Sequence, residues 1–503
     1  MHRAIVIGAG HNGLVAACYL AREGFDVSVF ERRQVVGGAA VTEEIIPGFN
    51  VSSASYSLSL LRPDIYSDLE LAKHGLSFYP KDPQLFVPLA DGRHFFIWRD
   101  AKRTEEELMR IDAHDAQAYG EFGRFWDHAI SLLRPFAEME NPPLRAELEE
   151  LLPPEVWSLA VAGSVAQVVE KFFHSDEVRG AFASQGIIGT ALGPRHPGTA
   201  WVMAYHYLGG ELNGAHGTWA YVRGGMGSVT TALASSAGSM GVKINVGASV
   251  DHVVVENGRA IGVQLDDGSV NLANVVLSNA DPTTSFLRLL PDGTLEAEFE
   301  QRVKEWKTPA SVVKVNLALD ELPDFTCLPG SGPQHRGTIE ISPSIDYLER
   351  AWQDADGGKF SNDPFMEIFI QSTTDPTLAP EGKHVLSAFT QYAPADGSGS
   401  EDAYKNVIAT IGRYAPNIAD AVIASEVLGP TELEQRFGLT GGNIFHGEIT
   451  PDQSFGDRFE YRTPLSGFYI CGSGASPGGG VMGAAGRNAA RTVIKDQLIG
   501  NQR

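Results

Sequence analysis

The sequence has few cysteines. It contains only three in 503 residues, Cys18, Cys327 and Cys471, and they lie far apart along the chain. There is no C-x-x-C pair and no metal-ligand spacing, which excludes a local redox dithiol and argues against a metal site. We therefore expect structural thiols and no bound metal.

Positive charge and long apolar runs are also scarce. The 39 Lys and Arg residues face 62 Asp and Glu residues, which gives a formal net charge of −23. Such a chain repels phosphate backbones, so we expect no nucleic-acid partner. No run approaches the roughly 20 apolar residues that span a bilayer. The first apolar strand begins at Ala4, leaving no room for a secretion signal. We expect a cytoplasmic protein, with peripheral membrane contact left open.

Glycine, by contrast, is abundant, with 55 residues, and it is concentrated at a turn near the N-terminus. The run R-A-I-V-I-G-A-G-H-N-G-L-V reads as an apolar strand, a glycine turn and a helix start, and V-S-V-F-E follows as a second strand. This order, with G-x-G-x-x-G at the turn, predicts a Rossmann-type dinucleotide site whose backbone approaches a pyrophosphate. The predicted contacts are Gly8, Gly10, His11, Asn12 and Gly13.

An acidic residue closes the second strand. Glu31 follows the last glycine of the turn by eighteen residues, where a carboxylate accepts hydrogen bonds from a ribose hydroxyl. The chain continues as E-R-R-Q-V-V-G-G-A-A, so Gly37 and Gly38 predict a second close backbone approach, with Ala39 beside them. Arg32 is a candidate for ribose or pyrophosphate contact, and a solvated surface arginine is the alternative.

The middle of the chain predicts a second, interleaved region. From 102 to about 178, apolar residues recur at spacings of three and four, which predicts helices with an aromatic core. N-G at 257–258 and D-G at 267–268 predict hairpins. Between about 282 and 437, runs such as S-V-V-K-V-N-L-A-L and H-V-L-S-A-F-T-Q-Y predict a mixed or antiparallel sheet with one covered face.

A second glycine-rich segment lies near the C-terminus. The run G-F-Y-I-C-G-S-G-A-S-P-G-G-G-V-M-G-A-A-G-R-N-A-A reads as an apolar strand, a turn and a small-residue helix. A helix beginning near Gly480 would direct its positive end toward a flavin pyrimidine, where negative charge develops on reduction. The predicted contacts in this segment are Gly472, Gly479, Gly480, Val481 and Met482.

Together with W-A-Y-V-R-G-G-M-G and G-G-N-I-F-H-G-E-I-T-P-D-Q-S-F, this segment resembles the phytoene-desaturase-related FAD-dependent oxidoreductases over nearly the whole chain. The resemblance implies FAD as cofactor and an α/β fold. A Rossmann-type FAD-binding domain would be interleaved with a substrate domain of mixed sheet and helices, as in amine oxidases and phytoene desaturases. The implied FAD-binding segments are 1–100, 216–285 and 438–503, and the substrate-domain segments are 101–215 and 286–437.

The resemblance also implies an activity, without naming the substrate. We expect hydride removal from an organic, lipophilic small molecule, with oxygen or a quinone-like compound as electron acceptor. Val250 is implied as a backbone contact to the adenine, and Ala280 as a further cofactor contact. The alternatives are a flavin amine oxidase, disfavoured because no aromatic residue lies between Cys471 and Ala490, and a non-catalytic binding module of the Rab escort type.

No triad or paired carboxylates stand out in the sequence for acid–base catalysis. His446, in N-I-F-H-G-E, is the catalytic candidate, because an imidazole takes or gives a proton near neutral pH and the motif precedes the C-terminal glycine segment. A structural histidine is the alternative interpretation.

Overall fold

The computed structural model describes residues 2–214 and 217–500. The chain contains both strands and helices, as expected for an α/β protein. The strands are β1 Arg3–Ile7, β2 Asp26–Glu31, β3 Thr42–Ile46, β4 Phe49–Ser52, β5 Phe78–Pro80, β6 Leu85–Pro88, β7 His94–Ile97, β8 Ala220–Val222, β9 Lys243–Val246, β10 Val250–Glu256, β11 Arg259–Leu265, β12 Val270–Leu272, β13 Val275–Ser278, β14 Val313–Leu319, β15 Thr338–Ile341, β16 Phe365–Phe369, β17 His384–Gln391, β18 Val422–Leu428 and β19 Phe468–Ile470.

A run of consecutive α-helices lies between β7 and β8, and the others are distributed along the chain. They are α1 His11–Arg22, α2 Pro63–Asp68, α3 Ala101–Leu108, α4 Ala113–Glu138, α5 Arg145–Leu151, α6 Pro154–Val156, α7 Val165–Phe172, α8 Asp176–Ala183, α9 Thr199–Tyr207, α10 Gly227–Ser239, α11 Ala297–Lys304, α12 Ile345–Asp356, α13 Ala403–Gly412, α14 Ile418–Ala421, α15 Pro430–Phe437 and α16 Ala484–Gly500.

The first sheet is parallel, with the order β19–β13–β1–β2–β9. Residues 4–7 of the central β1 are buried, and their unbroken apolar sequence is typical of a strand covered on both faces. Helix α1 contacts β1, β2, α10 and α16, which confirms the predicted βαβ unit. The carboxyl ends of β1, β2 and β13 meet at one edge, which is where open parallel sheets bind ligands.

A separate three-stranded sheet, β10–β11–β12, is formed by the part of the chain between β9 and β13, two strands of the parallel sheet. Its antiparallel pairing turns at 257–258 and at 267–268. Both hairpins predicted from N-G and D-G are therefore confirmed.

The second large sheet has seven strands in the order β18–β14–β17–β16–β15–β6–β7. Its neighbours pair antiparallel, except for β15 with β6. We expected one covered face, and this is wrong for the central strands, because every residue of β14, β15 and β16 is buried. Helices α12 and α13 contact β16 and β14, and the ring of Tyr56 packs on Phe369 and Phe389.

The two faces of the seven-stranded sheet differ in chemistry. The register sets Lys314 opposite Phe389, Phe389 opposite Glu367, and Glu367 opposite Glu340. Residues directly opposite one another project from the same face, so one face carries three buried charged side chains. We call this the polar face of the second sheet.

The predicted helical region is confirmed by α3 to α8. Its aromatic residues belong to the largest hydrophobic core, as expected, and do not line the cavity described below. Five of them make close ring contacts with one another: Phe122, Phe125, Trp126, Phe172 and Phe173.

The predicted segment boundaries remain predictions. One observation bears on them: β6 and β7, which lie within the predicted FAD-binding segment 1–100, pair in the seven-stranded sheet. Within the described residues, no helix has both the length and the apolar character needed to cross a bilayer.

Candidate active site

A cavity of about 380 Å³ extends from the β1–α1 turn to the polar face of the second sheet. Part of its wall consists of glycine backbone, which we call the glycine wall and define by Gly8, Gly10, Gly37 and Gly38. Another part consists of side chains from distant elements, which we call the side-chain wall and define by Tyr56, His206, Trp219, Lys314 and Phe389.

The glycine wall is formed by two chain segments that backbone hydrogen bonding holds together. The N–H of Gly37 donates to the carbonyl of Ala9 at 2.9 Å, and Gly10 forms a β-bridge with Gly37. A Cβ on Gly10 would lie 2.7 Å from Nδ2 of Asn279, so a side chain there meets its neighbour at once. The bare backbone allows a ligand to approach closely.

Glu31 lies on the same part of the wall, and its carboxylate is held in place by backbone. Its Oε2 accepts a hydrogen bond from the N–H of Ala9 at 2.8 Å, and its Oε1 accepts one from the N–H of Arg33 at 2.9 Å. The side chain is buried. Glu31 therefore fixes the glycine turn and places a negative charge beside it, where a ribose hydroxyl could donate.

Most of the predicted site residues come together in this cavity. Arg32 lies at its rim, where the guanidinium donates to the carbonyl of Gln435 at 3.0 Å. The predicted residues on the wall are Gly8, Gly10, His11, Glu31, Arg32, Gly37, Gly38, Ala39, Val250, Ala280, His446, Gly480 and Val481.

Five predicted residues, Asn12, Gly13, Gly472, Gly479 and Met482, do not line the cavity, and four of them pack against neighbouring chain segments. Asn12 Nδ2 donates to the Ser473 hydroxyl at 3.3 Å. A Cβ on Gly13 would lie 2.2 Å from the Gly8 carbonyl oxygen, and one on Gly472 would lie 2.6 Å from that of Asn279.

These residues hold chain segments against one another behind the wall. Gly479 does the same, since a Cβ there would lie 2.3 Å from the Phe445 ring. The backbone N–H of Arg62 donates to the carbonyl of Met482 at 3.2 Å. Direct cofactor contact by these five residues remains a prediction.

The C-terminal helix begins later than expected. We predicted a start near Gly480, but α16 begins at Ala484. The reason is backbone conformation, because Gly478, Gly480 and Gly483 have φ values of 124°, 83° and 81°, outside the right-handed helical region. The wall is therefore formed here by a loop and not by a helix end. The small residues of this helix let it lie close against α1, since a Cβ on Gly486 would lie 2.1 Å from the Asn12 carbonyl oxygen.

Two histidines on the cavity wall have ring nitrogens without hydrogen-bond partners. Nε2 of His11 and Nδ1 of His446 are buried and unpartnered within the described part of the chain. Burial and the neighbouring His446 lower the pKa of His11 to about 4. Burial also lowers the pKa of His446, although Asp281 opposes this. Both rings are neutral at neutral pH, with a free nitrogen available to a ligand.

The loop that carries His446 is positioned by Arg458, which the sequence did not suggest. This buried guanidinium donates to the carbonyls of Phe445 at 2.7 Å, Glu448 at 3.0 Å and Ser473 at 2.7 Å. It thereby joins the loop containing His446 to the C-terminal glycine segment. Burial lowers its pKa to about 10, so the group stays charged at neutral pH.

The side-chain wall was also missed by the sequence analysis. Lys314 Nζ donates to the carbonyls of Ser52 and Ala54, each at 3.2 Å, and burial lowers its pKa to about 7. Burial lowers the pKa of His206 to about 4. A signal for Lys314 was present, because a lysine interrupts the apolar run S-V-V-K-V-N-L-A-L. No comparable signal marks His206.

We expected no bound metal, but one group of side chains has the residue types of a metal site. Asp112, His114 and His174 bring possible ligand atoms within 4.8 Å of one another, and the two imidazole rings stack at 3.5 Å. None of the three lines the cavity. The absence of a metal remains a prediction.

The sequence profile for flavin-containing amine oxidoreductases matches residues 13–494, almost the whole chain. The chain belongs to this family. The protein is therefore an FAD-dependent oxidoreductase, and the recognition of the flavoprotein superfamily from the sequence is confirmed. The absence of a local redox dithiol remains a prediction; Cys18, Cys327 and Cys471 are free thiols in the structure.

Curated relatives extend along the full chain. Pyridine nucleotide-disulfide oxidoreductase domain-containing protein 2 of Mus musculus is 40% identical, over 98% of this chain and 93% of its own. One limonene dehydrogenase subunit, from Castellaniella defragrans, is 26% identical, over 98% and 94%. Hydroxyneurosporene desaturase of Cereibacter sphaeroides is 26% identical, over 98% of each chain.

Solved structures confirm the fold. An oxidoreductase from Methanosarcina mazei superposes with a TM-score of 0.66 at 19% identity, covering 98% of this chain and 100% of its own. A putrescine oxidase variant superposes with a TM-score of 0.64 at 18% identity, covering 99% of each chain. The predicted α/β arrangement with a second, mixed-sheet region is the arrangement of this family.

The cavity fits the cofactor of this family. The glycine wall leaves room for a pyrophosphate, because Gly8 and Gly37 adopt φ values of 93° and 125°, which favour glycine. The fixed carboxylate of Glu31 suits a ribose, and the unpartnered nitrogens of His11 and His446 suit polar atoms of a bound flavin nucleotide.

Proposed function

We propose that the protein removes hydride from an organic, lipophilic small molecule, as a dehydrogenase or desaturase, and passes the electrons to oxygen or a quinone-like compound. The observation that carries this proposal is the wall of the cavity beyond the glycine segments, which is mainly apolar and aromatic. Apolar pockets with few polar groups bind apolar ligands and exclude water. The residues concerned are Leu60, Ile188, Trp219, Val312, Phe389, Ile444 and Phe445.

Two of the relatives support the reaction type through their names. The limonene dehydrogenase and the hydroxyneurosporene desaturase are named for dehydrogenation and desaturation, and each aligns along at least 94% of its own length. At 26% identity they support a class of reaction and not a particular substrate.

In this proposal the glycine wall holds the pyrophosphate of FAD and Glu31 holds a ribose, while Val250 and Ala280 line the adenosine end. When bound, FAD supplies the two-electron oxidising chemistry. The protein's own contribution is to orient the substrate and keep water out. His446 is the proposed proton acceptor, because its Nδ1 is unpartnered and its lowered pKa keeps the ring neutral.

The first experiment tests cofactor and substrate together. The purified protein is expected to be yellow and to release FAD, identified by mass. Under anaerobic conditions, apolar terpenes and polyenes are expected to bleach the flavin absorbance. Failure of every apolar donor would contradict the proposed substrate class.

Amines form the second panel, because the family profile and the putrescine oxidase structures concern amine oxidoreductases. Bleaching by amines alone would replace the dehydrogenase proposal with amine oxidation.

A matched pair of variants tests His446. His446→Gln is expected to keep FAD and lose most of its rate of flavin bleaching, by roughly 100-fold, which is the usual contribution of a general base. His252→Gln, at the surface on β10, is the control and should behave as wild type. A normal rate in His446→Gln would exclude the role.

A further inference from the structure

The polar face of the second sheet contains two buried carboxyl groups side by side. Glu340 on β15 is paired directly across from Glu367 on β16, with relative exposures of 0% and 6%. Like charges opposite one another in a sheet destabilise it, and a buried charge without a partner costs several kcal/mol. The two groups cannot both be charged without compensation.

One buried cation faces this pair. Lys81 is 3% exposed, interacts electrostatically with Glu367 and donates to the Thr338 hydroxyl at 2.8 Å. Its Nζ also lies 4.7 Å from the centre of the Phe369 ring. Burial lowers the pKa of Lys81 to about 7, and Glu367 opposes this by favouring the charged lysine. A charged Lys81 balances one carboxylate, so electrical neutrality leaves one proton on the second carboxyl group.

The surroundings decide which carboxyl group carries that proton. Burial raises the pKa of Glu367. Lys81 and hydrogen bonds from the Tyr56 hydroxyl at 3.0 Å and from Gln185 Nε2 at 3.2 Å oppose this and favour its ionised form. Oε2 of Glu340 has no partner within the described residues. Burial and the charge on Glu367 raise the pKa of Glu340 well above its usual range. Glu340 is therefore the protonated member.

The remaining titratable groups around the pair are tyrosines and one lysine. Tyr207 faces Glu340, and Tyr221 faces Glu367. Lys314 lies 4.9 Å from the Tyr56 ring centre and interacts with Glu426. Burial raises the pKa of Tyr207 and of Tyr221, so both phenols stay neutral.

Tyr56 connects the buried cluster to the cavity. It lines the cavity wall, whereas Glu367 lies behind it, and its hydroxyl donates directly to Oε2 of Glu367. Burial and the neighbouring Glu367 raise the pKa of Tyr56 well above 10, so the phenol does not act as a tyrosinate. It passes a proton on only by receiving one at Oη while giving its own to Glu367.

We propose that Tyr56, Glu367, Lys81 and Glu340 form a buried proton-holding site that serves the cavity, with Tyr56 as the contact. The proposal rests on the proposed function. Each oxidation would pass one hydride, with two electrons, to bound FAD and leave one proton on His446. That proton, released into the cavity that His446 and Tyr56 both line, adds to Oη of Tyr56 as the phenolic proton moves to Oε2 of Glu367. The N–H bond of His446 and the phenolic O–H bond break as new O–H bonds form at Tyr56 and Glu367. Glu340 and Lys81 keep Glu367 ionised beforehand.

Infrared spectroscopy of the FAD-loaded protein tests the stored proton without a substrate. A protonated carboxyl C=O band is expected at neutral pH, and it should be missing in Glu340→Gln, which preserves volume and fold. Asp375→Asn is the control, since that buried carboxylate accepts hydrogen bonds from the N–H and the hydroxyl of Thr377. An identical band in wild type and Glu340→Gln would overturn the proposal.

Hydrogen–deuterium exchange tests the link through Tyr56. In Tyr56→Phe the carboxyl band should shift at least about tenfold more slowly after transfer to D₂O, because the relay hydroxyl is gone. Tyr347→Phe removes a buried hydroxyl that donates to Pro364, outside the cavity, and should exchange like wild type. Equal rates in all three proteins would overturn the relay. These outcomes are independent of flavin bleaching, which alone tests the proposed function.

Discussion

The glycine wall and the side-chain wall line one cavity but are built by different means. At the glycine wall, backbone from two segments close in sequence meets through a β-bridge between Gly10 and Gly37. At the side-chain wall, Tyr56, His206 and Lys314 arrive from a loop, a helix and a strand that are widely separated along the chain. The glycine wall depends on residues that have no side chain, whereas the side-chain wall depends on the identity of each side chain.

This difference predicts that the two walls respond differently to substitution. Changes at the glycine wall should affect FAD binding, and changes at the side-chain wall should affect proton chemistry and substrate choice. The largest effect is expected at Arg458, which holds the loop containing His446 to the C-terminal glycine segment.

Arg458→Met should destabilise the protein by about 4 kcal/mol and reduce FAD retention, because it leaves several buried carbonyls without a donor. These include the carbonyls of Phe445 and Ser473. Urea unfolding measures the first effect and FAD content the second. Arg462→Met is the control, since Arg462 pairs with Asp496 and its side chain is 46% exposed. A loss of stability no larger than the control's would show that the two segments hold together without Arg458.

The same contrast explains what the sequence could predict. The parallel sheet and glycine wall were predictable because β1, the turn and Glu31 lie within one short segment with fixed spacing. Lys314 was overlooked because its position on the cavity wall depends on the strand register, which places it opposite Phe389. The start of α16 was misplaced because a G-G-G-V-M-G run does not reveal which glycines adopt positive φ.

Gly10→Ala tests the glycine wall directly. Gly10 has φ −69° and ψ 169°, which alanine also adopts, so the backbone should remain. The new Cβ would lie 2.7 Å from Nδ2 of Asn279, so the side chain of Asn279, which lines the cavity, has to shift. FAD affinity should therefore fall by about 100-fold, close to 3 kcal/mol. Gly238→Ala, in α10 with no atom within 4 Å of its Cβ, is the matched control. Titration of the apoprotein with FAD provides the measurement, and unchanged affinity would place the pyrophosphate elsewhere.

His206 should give the side-chain wall a distinct acid sensitivity. Its folded-state pKa of about 4 lies below the ordinary 6.5, so the unfolded chain binds the proton more readily. Stability from this group is complete above about pH 6.5 and is lost as the pH falls toward 4. At about pH 5 the loss amounts to about 2 kcal/mol relative to neutral pH.

Urea unfolding at both pH values measures this loss. His206→Gln should lose this share of the pH dependence and keep the share from His11, whose pKa is also lowered to about 4. The surface variant His252→Gln should retain both shares. An identical pH dependence in His206→Gln would show that His206 is protonated as easily in the folded protein as in the unfolded chain.

Phe389→Leu should have the smallest effect on stability, and it tests most sharply whether the two walls have separate roles. The substitution removes part of a buried ring that packs on Tyr56 at 5.1 Å between centres, and the expected loss of stability is about 1 kcal/mol. Because Phe389 lies on the side-chain wall, FAD affinity should change by less than about threefold, or under 1 kcal/mol. FAD titration of this variant beside Gly10→Ala separates the walls. If Phe389→Leu weakened FAD binding as much as Gly10→Ala does, both walls would have to bind the cofactor, and the division between them would fail.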